Sequence, residues 1–302
     1  MITNRIKQNS IQFFPISYSD FKQLSKPGLL LSVIITSIIG MIFALNGQSV
    51  DWSSFLLLSL GVFLCGAGAH FWNQLLEREN DALMERTKNR PLPTGRVTVT
   101  DVASIGVFFM FWGFVTLYLA FNTLTAFLAF LTCILYIAVY TPLKTRTVFN
   151  TWIGAFPGAI PPLIGWAAVS NELPIESYVL FAIVYVWQIP HFLALAWKYR
   201  EQYQIAGFKM VTGFDKTGRS TALQIILHSF FLFQISLLPP AVFDNLGIIY
   251  YIGALVLGSV FLRKSLRFYF DNSEDKAMNI FMHSVIYLPI LLAIMAADFF
   301  IN

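Results

Sequence analysis

The residues most able to do chemistry concentrate in one stretch, NQLLERENDALMERTKNRPLPTGR, residues 73–96. Four carboxylates and five Lys or Arg side chains lie within it. Asn73, Glu77, Asp81 and Glu85 follow at intervals of four, so on a helix they would stack along one face. Oxygen ligands that point in one direction suit Mg²⁺, which binds a few carboxylates together with water and substrate phosphates. The spacing therefore predicts a magnesium site at the end of a helix.

Cations follow this acidic stripe directly: Arg86, Lys88, Arg90 and Arg96. Guanidinium groups bind phosphate in a bidentate way, so carboxylates followed by arginines indicate a metal–diphosphate site. The plain alternative is a juxtamembrane helix end whose charges pair with one another and with lipid head groups, and we assign Arg78 and Glu79 to that role. The stripe itself begins at Asn73, inside an apolar segment, and strongly polar groups at membrane depth usually mark function. We therefore favour the metal–diphosphate site.

The elements that must position these residues are membrane helices. The chain is 57% hydrophobic and 12% charged, with a mean hydropathy of +0.66. Apolar stretches of the length that crosses a bilayer recur along it, and a helix in lipid satisfies its own backbone. We predict an all-α polytopic membrane protein with nine transmembrane helices, at residues 28–47, 53–75, 101–121, 123–141, 149–169, 177–197, 221–242, 246–262 and 278–300.

The positive charges support this count. All 20 Lys and Arg residues fall in alternate connections: the N-terminal segment, 76–100, 142–148, 198–220 and 263–277. The positive-inside rule then places all five of these segments in the cytoplasm. The N-terminus is predicted inside and the C-terminus outside.

The domain organisation follows from the same pattern. We predict a cytoplasmic N-terminal segment, residues 1–27, and a single integral membrane domain, residues 28–302. The sequence pI near 9.0 reflects this orientation and predicts no nucleic-acid partner, because the cations lie in separate loops. Cys65 and Cys133 both fall inside predicted helices, which indicates neither a disulfide framework nor a metal site.

Several blocks of sequence resemble the UbiA superfamily of intramembrane prenyltransferases. They cover about three-quarters of the chain, over residues 20–240, in the order that the family has them. The PPLIGW and PHF motifs further resemble the branch that farnesylates heme. The blocks are SKPGLLLSVIITSIIG (25–40), the stretch 73–97, YTPLKTRT (140–147) with GAIPPLIGWAA (158–168), and WQIPHFLALAWKYREQYQIAGFKM (187–210).

The resemblance implies nine helices around a central cavity and Mg²⁺-dependent ionisation of an allylic diphosphate. By position, Asn73, Glu77 and Asp81 would hold the metal and serve catalysis. The second charged loop offers one carboxylate, Glu201, where many family members carry two acids, and we count it among the catalytic residues. The expected diphosphate-binding residues are Arg86, Arg90, Lys144, Arg146 and Lys198.

In the heme branch the substrates are farnesyl diphosphate and heme b, and the enzyme lies in the bacterial inner membrane. A heme vinyl carbon attacks the farnesyl cation, and water quenches the porphyrin-side cation to give heme O, on the route to heme A of cytochrome oxidase. His191, in the PHF motif, is the expected heme-binding residue. The resemblance also allows a heme A synthase as a partner. His70 lies seven residues before Glu77 and faces the same way, but no motif supports a role for it.

Three alternatives stay open on the sequence alone. Another UbiA-type enzyme would prenylate a quinone precursor or a chlorin, although PPLIGW and PHF favour heme. A transporter would place charges near the bilayer midplane, whereas these acids lie at one membrane face. A non-catalytic heme-binding membrane protein would leave farnesyl diphosphate intact.

Overall fold

The computed structural model describes residues 16–49 and 51–301, and all regular secondary structure in these ranges is helical. In the described ranges, nine helical segments are long and apolar enough to cross a membrane, as the sequence predicts. They are Pro27–Leu45, Trp52–Leu76, Val99–Ala120, Thr123–Leu143, Asn150–Ser170, Ile175–Lys198, Arg219–Ala241, Ile248–Phe270 and Glu274–Ile301.

Several spans are built from more than one helix, and short helices lie between others. Residues Leu135–Tyr140 form a π-helical segment inside the fourth span, and Pro239–Ala241 form a 3₁₀ turn at the end of the seventh. The α-helices are α1 (Tyr18–Ser25), α2 (Pro27–Leu45), α3 (Trp52–Leu76), α4 (Arg78–Ala82), α5 (Val99–Ala120), α6 (Thr123–Ile134), α7 (Thr141–Leu143), α8 (Asn150–Ala159), α9 (Pro161–Ser170), α10 (Ile175–Lys198), α11 (Arg200–Ile205), α12 (Val211–Phe214), α13 (Arg219–Ser236), α14 (Ile248–Phe270) and α15 (Glu274–Ile301).

Short polar side chains start the helices that carry the site. The Asp51 carboxylate accepts a hydrogen bond from the backbone N–H of Ser53 and caps α3. Thr98 accepts from the N–H of Asp101 and caps α5. Such caps satisfy backbone donors that a helix start leaves unpaired. They fix where α3 and α5 begin.

The spans form one helical bundle. Helices that follow one another contact each other around the bundle, and α15 also contacts α2. The fifth span breaks at Ile160, between α8 and α9, next to two prolines, and α9 packs along α2. A methyl group added at Gly165 would collide with the backbone of Ser37, so a glycine is needed for this close approach. The PPLIGW motif, to which the sequence assigns no chemistry, thus forms a buried helix that packs against the first span.

Helix α1 lies within the predicted N-terminal segment, residues 1–27, whose boundary stays a prediction. The predicted end of the eighth helix and the predicted start of the ninth need correction. The eighth helix runs to Phe270 and not to residue 262, so Arg263, Lys264 and Arg267 lie on α14. Only residues 271–273 separate it from α15. Lys and Arg are good helix formers that reach the membrane surface through long side chains, so charge alone does not end a helix.

Two cavities of about 460 and 330 Å³ lie on either side of Trp152 in α8. The larger is lined on its far side by α13, and the smaller by Tyr185 of α10. Neither cavity is lined by a residue of the acidic stripe. The central cavity that the resemblance implies stays a prediction.

Candidate active site at the end of helix α3

The acidic stripe lies where α3 ends and keeps its helical register through the junction. Glu77 joins α3 to α4, and its N–H donates to the carbonyl of Asn73 at 3.0 Å. The N–H of Asp81 donates in turn to the carbonyl of Glu77 at 2.8 Å. Asn73, Glu77 and Asp81 are 1%, 6% and 2% exposed, so the structure brings all three into one buried group.

Glu85 departs from this group, which corrects the fourth position of the predicted stripe. The chain leaves α4 at Leu83, and the Glu85 side chain is 74% exposed. Its carboxylate pairs with Lys88 at 2.6 Å on the surface. A periodicity of four extends only as far as the helix does, and here the helix ends one step early.

Each buried carboxylate faces a cation from another part of the chain. The Lys144 ammonium lies 2.7 Å from Glu77 Oε1, and Arg90 Nη1 lies 2.6 Å from Asp81 Oδ2. Buried carboxylates require such partners, because an unpaired charge out of water is costly. Lys144 and Arg90 were both expected to bind diphosphate, and the structure places both beside the expected metal ligands.

Asn73 is held by two further contacts. The Lys26 ammonium donates to Asn73 Oδ1 at 3.3 Å, and Asn73 Nδ2 donates to the Thr141 hydroxyl at 3.1 Å. Lys26 was not predicted as a site residue, although it lies in the SKPG segment that carries the resemblance. Its backbone is left-handed, with φ 52°, where α1 ends and α2 begins, and this sharp turn directs it toward α3.

The electrostatics of the group favour a bound anion. Burial, followed by the charge of Arg90, lowers the pKa of the Lys26 ammonium to about 7. Burial also opposes the charge of Lys144, but the Glu77 carboxylate outweighs it and raises the pKa of Lys144 above its ordinary value. Lys144 and Arg90 therefore offset the two carboxylates, and Lys26, which is partly protonated near neutral pH, adds a fractional positive charge. A magnesium ion with an ionised diphosphate adds net negative charge, which complements this excess.

The two main charged loops are tied together above the site. Asn80 Nδ2 donates to the carbonyl of Ala206 at 2.7 Å, and Met84 packs in a small cluster with Ala206 and Phe208. The Arg86 guanidinium lies over the ring of Tyr199, 5.5 Å from its centre. These contacts cover the acidic group from the side of α11.

The remaining predicted diphosphate residues are less constrained. Arg146 is exposed, and its side chain has no partner in the described part of the chain. The Lys198 ammonium lies 5.5 Å from the centre of the Tyr199 ring, which it shares with Arg86. Both residues stay predicted phosphate ligands. Their side chains would have to rotate to reach a diphosphate bound at the acidic group.

Glu201 lies apart from the buried carboxylates. Its side chain is 81% exposed and faces Arg200 at 3.9 Å. The neighbouring Gln202 instead meets the first loop, through a 3.5 Å contact from the backbone N–H of Arg86. The structure therefore does not bring Glu201 to the acidic group, and its catalytic role stays a prediction.

The two histidines of interest lie on different helices. His191 Nδ1 lies 2.8 Å from the Ser284 hydroxyl, and its ring packs between Trp187 and Phe281, which places it against α15. His70 lies on α3, and its Nδ1 lies 3.4 Å from the hydroxyl of Tyr136 in the π-helical segment. The role of His191 in heme binding therefore stays a prediction. His70 lies on the same helix as Asn73 of the acidic group.

The donor set fits magnesium in its chemistry. It consists of oxygen atoms from one amide and two carboxylates, which is what Mg²⁺ prefers when phosphates supply further ligands. Lys144 and Arg90, which pair with these carboxylates, are the groups that a diphosphate would attract. Within the described residues no cluster of three His, Cys, Asp or Glu forms an alternative metal site.

Comparisons with known proteins identify the family. The model of the UbiA prenyltransferase family matches residues 33–286. The chain belongs to the UbiA prenyltransferase family. Among curated relatives of this family member, the protoheme IX farnesyltransferase of Solibacter usitatus is 40% identical over 288 residues, covering 92% of this chain and 98% of the relative. The protoheme IX farnesyltransferase of Christiangramia forsetii is 38% identical and covers 94% of each chain.

Solved structures agree on the fold of this UbiA family member. A digeranylgeranylglyceryl phosphate synthase has a TM-score of 0.78 at 17% identity, covering 94% of this chain and 99% of that one. A UbiA homologue from Archaeoglobus fulgidus, solved with DMAPP and Mg²⁺, has a TM-score of 0.62 at 17% identity, with coverage of 92% and 99%. At this identity the likeness shows the fold alone. It confirms the UbiA-type helical architecture predicted from the sequence.

Proposed function

We propose that this protein transfers the farnesyl group of farnesyl diphosphate to a vinyl carbon of heme b, with addition of water, to give heme O. One observation carries the proposal: the paired carboxylates and cations buried at the end of α3, in a chain 35–40% identical to several protoheme IX farnesyltransferases. A diphosphate head needs this charge pattern, and its farnesyl tail needs the apolar helices below it.

The chain's residues divide the work by position. Asn73, Glu77 and Asp81 would hold Mg²⁺, whose chemistry there is neutralisation of charge on the leaving diphosphate. Lys144 and Arg90 lie within ion-pair distance of those carboxylates and would turn to the phosphate oxygens. Such preorganised charge favours departure of the diphosphate, because it is aimed where negative charge develops.

The cover formed by the two charged loops supports the same reaction. Met84, Ala206 and Phe208 pack together above the acidic group, and Asn80 bonds across to Ala206. A covered site excludes bulk water, which would otherwise consume an allylic cation before the heme vinyl group attacks it. Arg86, Arg146 and Lys198 are proposed as phosphate contacts at the edge of this cover.

The wider setting is part of the proposal. The enzyme works in the bacterial inner membrane as one domain, residues 28–302, with its N-terminus in the cytoplasm and its C-terminus outside. Farnesyl diphosphate and heme b both reach it from the membrane or its surface. His191 is proposed to contact heme, and a heme A synthase is the proposed consumer of the product.

The test is mass spectrometry of hemes after incubation of the purified protein with heme b, farnesyl diphosphate and Mg²⁺. We expect a heme heavier by one farnesyl group and one water, formed with Mg²⁺ and absent with EDTA. Unchanged heme alongside Mg²⁺-dependent release of diphosphate would contradict the heme assignment. A quinone precursor would then be the first acceptor to test.

A further inference from the structure

A closed hydrogen-bonded circuit ties His70 to the metal-binding end of α3. Asn73 donates to the Thr141 hydroxyl at 3.1 Å, and that hydroxyl donates to the carbonyl of Tyr136 at 2.8 Å. The hydroxyl of Tyr136 lies 3.4 Å from His70 Nδ1, and His70 and Asn73 belong to the same helix. The imidazole is therefore held in a fixed position relative to a metal-binding residue.

The π-helical segment makes this circuit possible. The backbone N–H of Thr141 bonds to the carbonyl of Tyr136, one residue further back than in an α-helix. The same carbonyl also accepts the Thr141 hydroxyl. This wider turn places Tyr136 and Thr141 side by side toward α3. Single π-helical turns inside α-helices are frequent at functional sites.

His70 lies at the depth where the reacting carbon must be. A helix rises about 1.5 Å per residue, so His70 is about 4.5 Å deeper along the axis than Asn73 and about 10 Å deeper than Glu77. It faces the same side as both. If the diphosphate is held at Asn73, Glu77 and Asp81, the first carbon of its chain lies just below them, level with His70.

The other candidate proton acceptors are engaged or distant. Glu77 and Asp81 pair with cations at 2.7 and 2.6 Å and are the proposed metal ligands. His228 uses both ring nitrogens, because Nε2 accepts from Trp152 and Nδ1 contacts the carbonyl of Gln224. His191 packs against α15, and His283 lies on α15 with its ring stacked on Phe261 of α14. In the described part of the chain, His70 Nε2 has no partner.

We propose that His70, positioned by Tyr136, accepts the proton of the water that completes the reaction. This rests on the proposed function. The bond between the farnesyl carbon and the diphosphate oxygen breaks, and diphosphate leaves with the electron pair. The vinyl carbon then bonds to the farnesyl carbon, which leaves a cation on the porphyrin-side carbon. Water forms the new carbon–oxygen bond there and gives one proton to His70 Nε2, while Nδ1–H donates to the Tyr136 oxygen. The products are the hydroxylated farnesyl heme and a protonated imidazole, which returns its proton to solvent.

Removal of this base predicts a specific change of product. Without a proton acceptor at the water, the porphyrin-side cation loses a proton from the neighbouring carbon to the released diphosphate and becomes an alkene. The resulting farnesylated heme is lighter by one water than the normal product. Ionisation of farnesyl diphosphate precedes this step and depends on other residues, so diphosphate release continues.

The experiment compares wild type, His70→Gln and, as a control, His228→Gln, each with heme b, farnesyl diphosphate and Mg²⁺. Gln fills a similar space and bonds to Tyr136 but takes up no proton. We expect the hydrated product to fall about 10²-fold or more in His70→Gln, with the dehydrated product in its place. Released diphosphate stays close to the His228→Gln level. Equal yields of hydrated heme in both variants would overturn the inference.

A second variant covers failure of His70→Gln to fold. Tyr136→Phe removes only the hydroxyl that positions the imidazole, and we expect it to lower the ratio of hydrated to dehydrated heme. An unchanged ratio would overturn the inference, because a purely structural role would alter yield and not product. If wild type itself releases diphosphate but leaves heme unchanged, the proposed function fails. If wild type makes hydrated heme and His70→Gln makes it equally well, only the role of His70 fails.

Discussion

Lys144→Met should destabilise the protein, because it leaves the buried Glu77 carboxylate without its cation. At the observed 2.7 Å and an effective dielectric constant of about 20, the attraction between Lys144 and Glu77 is about 6 kcal/mol. Part of this is offset in the wild type by desolvation of both groups. Because the Lys144 side chain is 18% exposed, we expect a net loss of about 3 kcal/mol in the free energy of unfolding.

The assay is thermal or denaturant unfolding in detergent without Mg²⁺, followed by tryptophan fluorescence. Glu79→Gln is the matched control, because Glu79 pairs with Arg78 at 3.0 Å but is 83% exposed, and its loss costs about 0–1 kcal/mol. The double variant Lys144→Met with Glu77→Gln removes both charges and should regain much of the lost stability. Equal effects of Lys144→Met and Glu79→Gln would refute the buried-pair reasoning.

Lys144→Met should lower the stability of the protein without Mg²⁺ but should strengthen its binding of Mg²⁺. In the wild type Lys144 competes with the metal for Glu77, so its removal leaves the carboxylate free to bind Mg²⁺ before diphosphate arrives. A ligand that binds only the folded state stabilises it by an amount that grows with its affinity. We therefore expect Mg²⁺ to raise the unfolding temperature of Lys144→Met more than that of wild type. Equal stabilisation would contradict the assignment of Glu77 as a metal ligand.

Three further predictions follow from individual contacts. Asp20→Asn should lower the free energy of unfolding by about 1–2 kcal/mol at neutral pH. Burial opposes ionisation of Asp20, but hydrogen bonds from Arg96 and Ser17 outweigh burial and lower the pKa of Asp20 below the ordinary 3.8. That stability is present above pH 3.8 and is lost as pH falls through the lower folded-state pKa, so unfolding curves of the two proteins should converge in strong acid. Arg90→Lys keeps the charge beside Asp81 but loses the planar fork, and steady-state kinetics should show KM for farnesyl diphosphate rising about tenfold; an unchanged KM would contradict a phosphate-binding role. Glu201→Gln tests the catalytic role predicted for Glu201. From a side chain that is 81% exposed and outside the buried group we expect turnover within about twofold of wild type, whereas a loss like that of Asp81→Asn would support the catalytic role.

The local features of this fold were readable from sequence. Nine apolar stretches, separated by cationic and cation-free loops, predicted the nine spans of the described chain. The interval of four predicted that Asn73, Glu77 and Asp81 share a face, and their burial agrees. These inferences rest on hydropathy and helical periodicity, which act over a few turns of chain.

Features that depend on distant packing were not readable. Nothing in the spacing indicates that Lys144 would pair with Glu77 and Arg90 with Asp81, because several cations were equally available in sequence. Lys26 reaches Asn73 only through a left-handed turn between two helices.

Helix ends were the other source of error. The helix that carries the stripe ends before Glu85, so periodicity predicted one acid too many. The eighth helix continues through three cations that composition alone assigns to a loop. His70 had no sequence motif, and only its contact with Tyr136 in a π-helical segment distinguishes it from a packing residue.

The most direct test of the account is the turnover of Asp81→Asn, measured as farnesylated heme over a range of Mg²⁺ concentrations. The substitution keeps the size of a side chain that is 2% exposed and removes its charge. We expect turnover to fall about 10²-fold or more while the protein stays folded and still binds heme, because the transition state loses a ligand of its charge-neutralising metal. Near-normal turnover at the same Mg²⁺ concentrations would show that the buried carboxylates do not hold the metal.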